Sequence, residues 1–511
     1  MSSHVVTPPL VETACPPTGS TVPVAGPRLA PATFRHDAAA REYRRRRVRR
    51  WDALARLLDD WQTWGGAYHA RLREVYQFLV PPGQRVLEIG CGRGDLLAAV
   101  RPAVGVGADF STEMVSRAAR RHPHLRFVHA DAHELNLDET FDVVILSDLL
   151  NDVWDVQTVL TQVARVCTPR TRVIINSYSR LWEAPLSWTE RLGLAKPTLR
   201  QNWLTLHDLK NLLHLADFEV LRTWPEVLLP LRVPLLAPLC NRGLVRFWPF
   251  RWLALTNFIV ARPRPRPTDR PDAPLVSVVV PARNEAGNIP AILARTPELG
   301  AGTELIFVEG GSTDDTYAAI ERAVRDNPQR RCRLLRQTGR GKGDAVRTGF
   351  AAASGDVLMI LDADLTVAPE DLPLFVEALV SGKGEFINGV RLVYPMEARA
   401  MRFFNLLGNK FFSWAFTTVL GQPVRDTLCG TKVLWKRDYE TIAANRGYFG
   451  DFDPFGDFDL LFGAAKLNLK IVDLPVRYRE RTYGETNIDR WTHGGLLLRM
   501  VLFAARRLKF V

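Results

Sequence analysis

"GDVLMILDADLTVAPEDL" (residues 355–372) places an apolar run, Val357 to Leu361, directly before two aspartates one residue apart, Asp362 and Asp364. A short apolar run bounded by turn residues reads as a buried strand. Two carboxylates at its end repel each other unless something cationic stands between them. A divalent metal, a basic side chain or bulk water can do this.

The stretches before it share its design. "LVSVVVPARNEAGNIPAIL" (275–293) is a buried strand, a polar turn and a helix, and "ELIFVEGGSTDDTYAAIERA" (304–323) repeats the plan, with N-cap residue types at Ser312, Thr313 and Asp314. "GRGKGDAVRTGFAAASGD" (339–356) sets Lys342 between glycines, a setting suited to phosphate. Units ending in Glu285, Glu309, Lys342 and the aspartate pair predict a nucleotide crevice at the carboxyl ends of parallel strands. Mg²⁺ or Mn²⁺ shared by Asp362, Asp364 and a diphosphate relieves the repulsion, because these ions take oxygen ligands.

A second α/β alternation precedes this one, from Gln84 to about Tyr178. "RVLEIGCGRGDLLAAV" (85–100) reads as strand, glycine-rich turn and helix start, with Glu88 at the strand end and Gly90, Gly92 and Gly94 in the turn. Asp109, about 20 residues on, ends the next strand, where an acid can bind a ribose diol. Asp131, in "FVHADAHEL" (127–135), ends a third strand, and "FDVVILSDLLNDVWD" (141–155) gives a fourth. Segments 216–224 and 255–263 read as a terminal strand pair.

The 511 residues exceed one typical domain. The expected plan is a disordered tail over 1–35, an α/β domain over 36–262 opening with a basic helix, a proline-rich linker over 263–274, a second α/β domain over 275–493 and an amphipathic helix over 494–511. A net charge of +12 favours anionic partners. The six scattered cysteines show no metal spacing and fit reduced thiols of a cytosolic protein. No stretch is long and apolar enough for a transmembrane helix.

The first α/β region resembles class I S-adenosylmethionine-dependent methyltransferases over roughly residues 70–262, matching their acid-x-Gly-x-Gly-x-Gly pattern at Glu88, Gly90, Gly92 and Gly94. The resemblance implies a Rossmann-like fold that binds S-adenosyl-L-methionine, with Asp109 on the ribose hydroxyls and Asp131 beside the adenine amine. Dinucleotide binding is the competing reading. Asp148, Asp152, Tyr178 and His133 lie near the expected cofactor edge, and the methyl acceptor stays open.

The second region resembles family 2 glycosyltransferases of the GT-A fold, those like dolichol-phosphate mannosyltransferase and the polyprenyl-phosphate sugar transferases, over about 275–490. The resemblance implies that Pro281, Arg283 and Glu285 frame the nucleobase of a UDP- or GDP-sugar, and that Asp362 and Asp364 serve metal and ribose. "VEGGS" (308–312) departs from the family's Val-Asp-Asp-Gly-Ser, and Cys429 replaces a serine in "DTLCGTK" (426–432). In "RERTYGETNIDRW" (479–491) Arg481 is retained and Asn487 replaces the usual lysine.

The expected activity is therefore inverting sugar transfer to a polyprenyl phosphate or other lipid acceptor, fused to methyl transfer. Lys342 and Arg481 would neutralise the leaving diphosphate. Arg391 and Arg402 would hold an acceptor phosphate, with Asp426 orienting them or acting as base for a hydroxyl acceptor. The alternative is transfer to a glycan, glycolipid or secondary-metabolite hydroxyl, with a non-catalytic N-terminal half. Apolar, basic segments at 228–254, 401–421 and 494–511 suit the surface of a membrane, and the arginine run 41–50 suits lipid head groups, RNA or a solvated helix face. A cytoplasmic protein, peripheral on the inner membrane face, is expected. No nucleic-acid recognition module is evident.

Overall fold

The computed structural model describes residues 38–57, 66–191, 199–391, 393, 403–449, 458–479, 481, 483 and 490–510. The first sheet comprises β1 (Arg85–Ile89), β2 (Val104–Asp109), β3 (Arg126–His129), β4 (Phe141–Ser147), β5 (Cys167–Tyr178), β6 (Phe218–Glu226) and β7 (Thr256–Pro263), in the order β3-β2-β1-β4-β5-β7-β6. β1 to β5 pair in parallel, and β7 runs antiparallel to β5 and β6. Unbroken apolar runs such as Val143–Leu146 and Val173–Ile175 are buried, as a sheet covered on both faces requires. The strand pair expected from 216–224 and 255–263 is β6 and β7.

The N-terminal segment, whose composition reads as helical between His36 and Val80, is helical in its described residues. It forms two helices, Ala38–Leu57 and Gly66–Leu79.

The second sheet comprises β8 (Leu275–Ala282), β9 (Gly302–Glu309), β10 (Arg331–Arg336), β11 (Val357–Ile360), β12 (Phe386–Val390), β13 (Lys432–Trp435) and β14 (Ile471–Pro475), ordered β10-β9-β8-β11-β13-β12-β14. β8 to β11 are parallel, β13 is antiparallel to both its neighbours, and β14 is parallel to β12. The run Val357–Ile360 is wholly buried between β8 and β13, and the Leu361 N–H extends the ladder to the Val279 carbonyl at 3.0 Å. Strand order reverses between β1 and β4 and between β8 and β11, which opens a crevice at the carboxyl ends of each pair.

The two halves are joined by buried charge. Glu385 accepts hydrogen bonds from Arg172 at 2.7 Å and from the Lys470 backbone at 2.9 Å, and pairs with Arg262 at 3.2 Å. Arg262 also donates to Glu219 and to the Gly382 carbonyl, each at 2.6 Å. The proline-rich stretch leaves this buried ionic knot with Pro265 against Gly382 and is exposed from Arg266 to Ala273. The C-terminal helix likewise starts earlier, spanning Arg490–Ala504. Leu497, Met500, Ala504 and Leu508 are buried in the second core, so this segment is a packed element with one open side at Leu498 and Leu502.

Candidate functional site

Glu88 ends β1 in a fully buried position. One oxygen is shut off from solvent with no hydrogen-bond partner among the described residues. Burial, with the neighbouring Asp109 and Asp95 carboxylates adding to it, pushes its carboxyl up to about 8. The turn that follows is held open by left-handed glycines: at Gly94 (φ +73) a Cβ would run into the Phe127 ring, and a Cβ at Gly92 would meet open space. Asp109 accepts the Gly92 and Ser111 N–H groups, each at 2.9 Å. An acidic crevice with an orphaned carboxylate oxygen fits the cationic ammonium and sulfonium of S-adenosylmethionine.

The basic helix Ala38–Leu57 packs over this crevice, a feature that the arginine run alone did not reveal. Arg44 pairs with Asp131 at 2.9 Å, and Arg47 pairs with Asp152 at 2.7 Å and donates to the Arg200 carbonyl. Trp51 Nε1 donates to Asp152 at 2.8 Å, and the Ser111 hydroxyl donates to Asp52. Two of the arginines expected on a solvated or lipid-binding face are therefore intramolecular clamps. Asp131 also accepts the His133 N–H and imidazole. Of the residues expected along the cofactor edge, Asp131, His133 and Asp152 are thus tied to protein partners.

Asp148 differs. It sits just past β4 in the left-handed region (φ 54) and accepts hydrogen bonds from the Tyr68 hydroxyl at 2.9 Å and Asn176 at 2.7 Å. Burial pushes its carboxyl up to about 7 despite both donors. Tyr178 and Trp203 continue an aromatic wall from Tyr68, with ring centroids 5.9 and 6.2 Å apart along the row. A carboxyl poised near neutrality beside such a wall can take a proton from a bound nucleophile.

The second crevice answers the repulsion posed by its two aspartates. Each takes a basic partner: Lys342 Nζ lies 2.6 Å from Asp362 Oδ1, and Arg481 Nη2 lies 2.8 Å from Asp364 Oδ2. Asp364 Oδ1 also accepts the Thr366 N–H and hydroxyl, which fix its rotamer. Arg481 reaches Glu285 at 3.5 Å, and Glu285 accepts Asn288 at 2.7 Å. Glu309 caps the turn through the Ser312 N–H at 2.5 Å, Pro281 is half-buried at the end of β8, and Arg283 stands exposed at the rim. Asp362 Oδ2 faces the backbone of Gly430, where any Cβ would strike it and Lys342. No group of three metal-ligating side chains occurs among the described residues. Two carboxylates suit an ion that completes its shell from phosphate and water.

Asp426 is 2% exposed. It accepts Arg391 through Nε at 2.7 Å, Nη2 at 2.9 Å and the backbone N–H at 3.1 Å, and it also caps Leu428 and Cys429. The Arg391 guanidinium holds its carboxyl below the usual carboxylate range, even against burial. In this arrangement Asp426 orients Arg391. Arg391 also stands over the Tyr478 ring at 5.0 Å. Arg402 and Asn487 lie outside the described residues. Sequence reasoning missed Lys432, fully buried on β13, which donates to the Cys429 carbonyl and lowers both Asp362 and Asp426. Its position in "CGTK" is the signal that could have found it.

No helix among the described residues is long and apolar enough to cross a membrane. Exposed aromatic residues do occur in the segments picked for membrane contact, among them Trp248, Trp252 and Trp414.

Comparison with known proteins divides the chain the same way. Residues 64–223 match the family described as Methyltransferase domain, and residues 277–439 match Glycosyl transferase family 2. An uncharacterized glycosyltransferase of Mycobacterium tuberculosis is 29% identical over 230 residues, covering 43% of this chain and 93% of that one. An undecaprenyl-phosphate 4-deoxy-4-formamido-L-arabinose transferase of Klebsiella pneumoniae is 26% identical over 220 residues, covering 42% of this chain and 63% of that one. Among solved structures, an S-adenosylmethionine-dependent methyltransferase of Thermotoga maritima aligns at a TM-score of 0.32 and 17% identity, over 42% of this chain and 98% of that one. The chain carries a methyltransferase domain followed by a domain of glycosyl transferase family 2.

Proposed function

We propose that the C-terminal domain transfers a sugar from a nucleotide sugar to a lipid phosphate, and that the N-terminal domain transfers a methyl group from S-adenosylmethionine. The observation that carries the acceptor assignment is the state of Asp426. All its hydrogen-bonding capacity goes to Arg391 and two backbone amides, so it is no base for a hydroxyl. A phosphate monoester needs no base, since its second pKa is about 6 and it is largely ionised at neutral pH. Arg391, oriented by Asp426 through Nε and Nη2, offers it a fixed positive charge. The likeness to an undecaprenyl-phosphate sugar transferase supports the same class of acceptor.

In this reading the acceptor oxygen attacks the anomeric carbon as the bond to the nucleoside diphosphate breaks, with inversion. Lys342 and Arg481 turn from Asp362 and Asp364 toward the departing diphosphate and neutralise its charge. Asp362 and Asp364 would hold a divalent cation, whose charge assists that departure. Pro281, Arg283, Glu285 and Glu309 line the nucleotide end.

In the N-terminal crevice, Glu88 would hold the cofactor's ammonium, Gly90, Gly92 and Gly94 would let the chain approach it, and Asp109 would take the ribose hydroxyls. The Ala38–Leu57 helix covers the crevice and keeps water out. Asp148 takes the proton from the methyl acceptor.

Arg391→Lys tests the acceptor site, because lysine keeps the charge and loses the two bonds to Asp426 that orient it. The Michaelis constant for a short polyprenyl phosphate should rise about tenfold or more, with the donor's constant unchanged. A change confined to the donor would remove Arg391 from the acceptor site.

A further inference from the structure

A cavity of about 340 Å³ lies between the two domains, away from both crevices and bordered by the C-terminal segment. Its walls bring together Arg222 of β6, Arg246 and Arg251 of the 228–254 segment, and Lys509 at the C-terminal end. Glu226 is the one acidic residue in the lining among the described residues, and it is already engaged by Arg71, Arg246 and the Trp224 indole. Arg222 has two guanidinium nitrogens, Nε and Nη2, that are shut off from water, the cavity's included, and have no hydrogen-bond partner among the described residues; Arg246 Nε is a third. Arg222 stacks over Trp224 at 4.8 Å and passes Gly421, where a Cβ would come within 3.6 Å of its chain. Lys509 donates to the Thr418 carbonyl at 2.8 Å.

Positive charges gathered in a partly desolvated space are costly without a counter-ion. The strain is visible in the groups themselves. Burial and the nearby Arg246 bring Arg222 down to about 10, and burial with Arg246 and Arg251 brings Lys509 down to about 8. The cavity is too large for a single ion and holds the space of several waters at about 30 Å³ each.

The 228–254 segment that carries Arg246 and Arg251 is also strongly apolar on its open side. Trp248 is 77% exposed, Trp252 65% and Leu253 57%. Phe247 stacks on Phe510 at 5.9 Å, so this apolar rim joins the C-terminal segment beside Lys509. A cationic cavity beside exposed tryptophans has the polarity of a phosphate head group joined to acyl chains.

We infer that this interdomain cavity binds the phosphate of an anionic membrane lipid, seating the Trp248–Trp252 rim in the bilayer interface. The site is independent of the sugar-transfer reading and shares no residue with either crevice. Its occupant is set by charge complementarity: the cavity lining offers more cations than its one engaged acid can balance, and the rim offers the apolar surface that a free phosphate would not need.

The test is flotation of the full chain with phosphatidylcholine vesicles, with and without phosphatidic acid, beside thermal melts in added inorganic phosphate. The protein should float with the acidic vesicles and not with the neutral ones. Arg222→Gln should weaken that binding by about fivefold or more. Because it removes an uncompensated buried cation, its melting temperature without ligand should equal or exceed that of the unsubstituted chain. Trp248→Ser with Trp252→Ser, both on the surface, should also lower vesicle binding and leave the melt unchanged. Vesicle binding that survives both variants overturns the inference. Stabilisation by inorganic phosphate that Arg222→Gln abolishes, with no vesicle binding, would assign the cavity to a soluble phosphate compound and overturn the lipid assignment.

Discussion

Replacing Glu88 by Gln should make the cofactor-free protein more stable and its N-terminal crevice less able to bind. An ordinary glutamate carboxyl titrates near 4.5, and burial moves that of Glu88 to about 8. Between those values the unfolded chain loses a proton that the folded chain keeps. The folded state therefore loses about 1.4 kcal/mol for each pH unit above 4.5, until pH passes the folded value. At pH 7 the cost is about 3 kcal/mol, and at pH 5 it is under about 1 kcal/mol. Glutamine is close in shape to the protonated acid and can keep the backbone hydrogen bond from Leu97. The native side chain already buries an unpartnered polar atom there, so the amide adds little new cost. Urea unfolding at pH 5 and pH 7 is the assay, each with and without S-adenosylmethionine. Glu88→Gln should gain about 3 kcal/mol at pH 7 and little at pH 5, and its stabilisation by the cofactor should disappear. A variant that loses stability at pH 7, or that the cofactor stabilises as it does the native chain, would refute the assignment of Glu88 to the cofactor's ammonium.

Other outcomes follow from the same geometry. Asp364→Asn should abolish sugar transfer in Mn²⁺ or Mg²⁺ with little change in the melting curve, and full activity would remove Asp364 from the site. Asp109→Ala should weaken S-adenosylmethionine binding by titration calorimetry, and unchanged affinity would mean that the ribose lies elsewhere. Glu385→Ala leaves Arg172 and Arg262 buried together without their shared carboxylate, and should cost about 3–5 kcal/mol in urea unfolding. A cost near zero would mean that the two halves do not depend on that knot.

The architecture was legible because both domains write their topology locally. Apolar runs such as Val357–Leu361 and Val278–Val280 are buried on both faces of a parallel sheet, and each stops at the residue where the crevice begins. Glu88, Asp109, Glu285, Glu309 and Asp362 could be placed because strand ends in such sheets converge on one edge. What the sequence hid depends on contacts between distant segments. The arginines of 41–50 look alike in one dimension, and only packing shows that Arg44 and Arg47 reach Asp131 and Asp152. Glu385 carries no local mark of an interdomain lock. The sequence left Asp426 free to orient or to abstract a proton, and only the fold shows the five hydrogen bonds it takes from Arg391, Leu428 and Cys429.

The most direct measurement compares two acceptors of equal chain length, a polyprenyl phosphate and the free polyprenol. Each is incubated with the purified chain, a labelled UDP- or GDP-sugar and Mn²⁺, then extracted into organic solvent and counted. Label entering the phosphate and not the alcohol is the expected result. Equal or preferential labelling of the alcohol would contradict a phosphate acceptor and require a base that Asp426, as Arg391 holds it, does not supply.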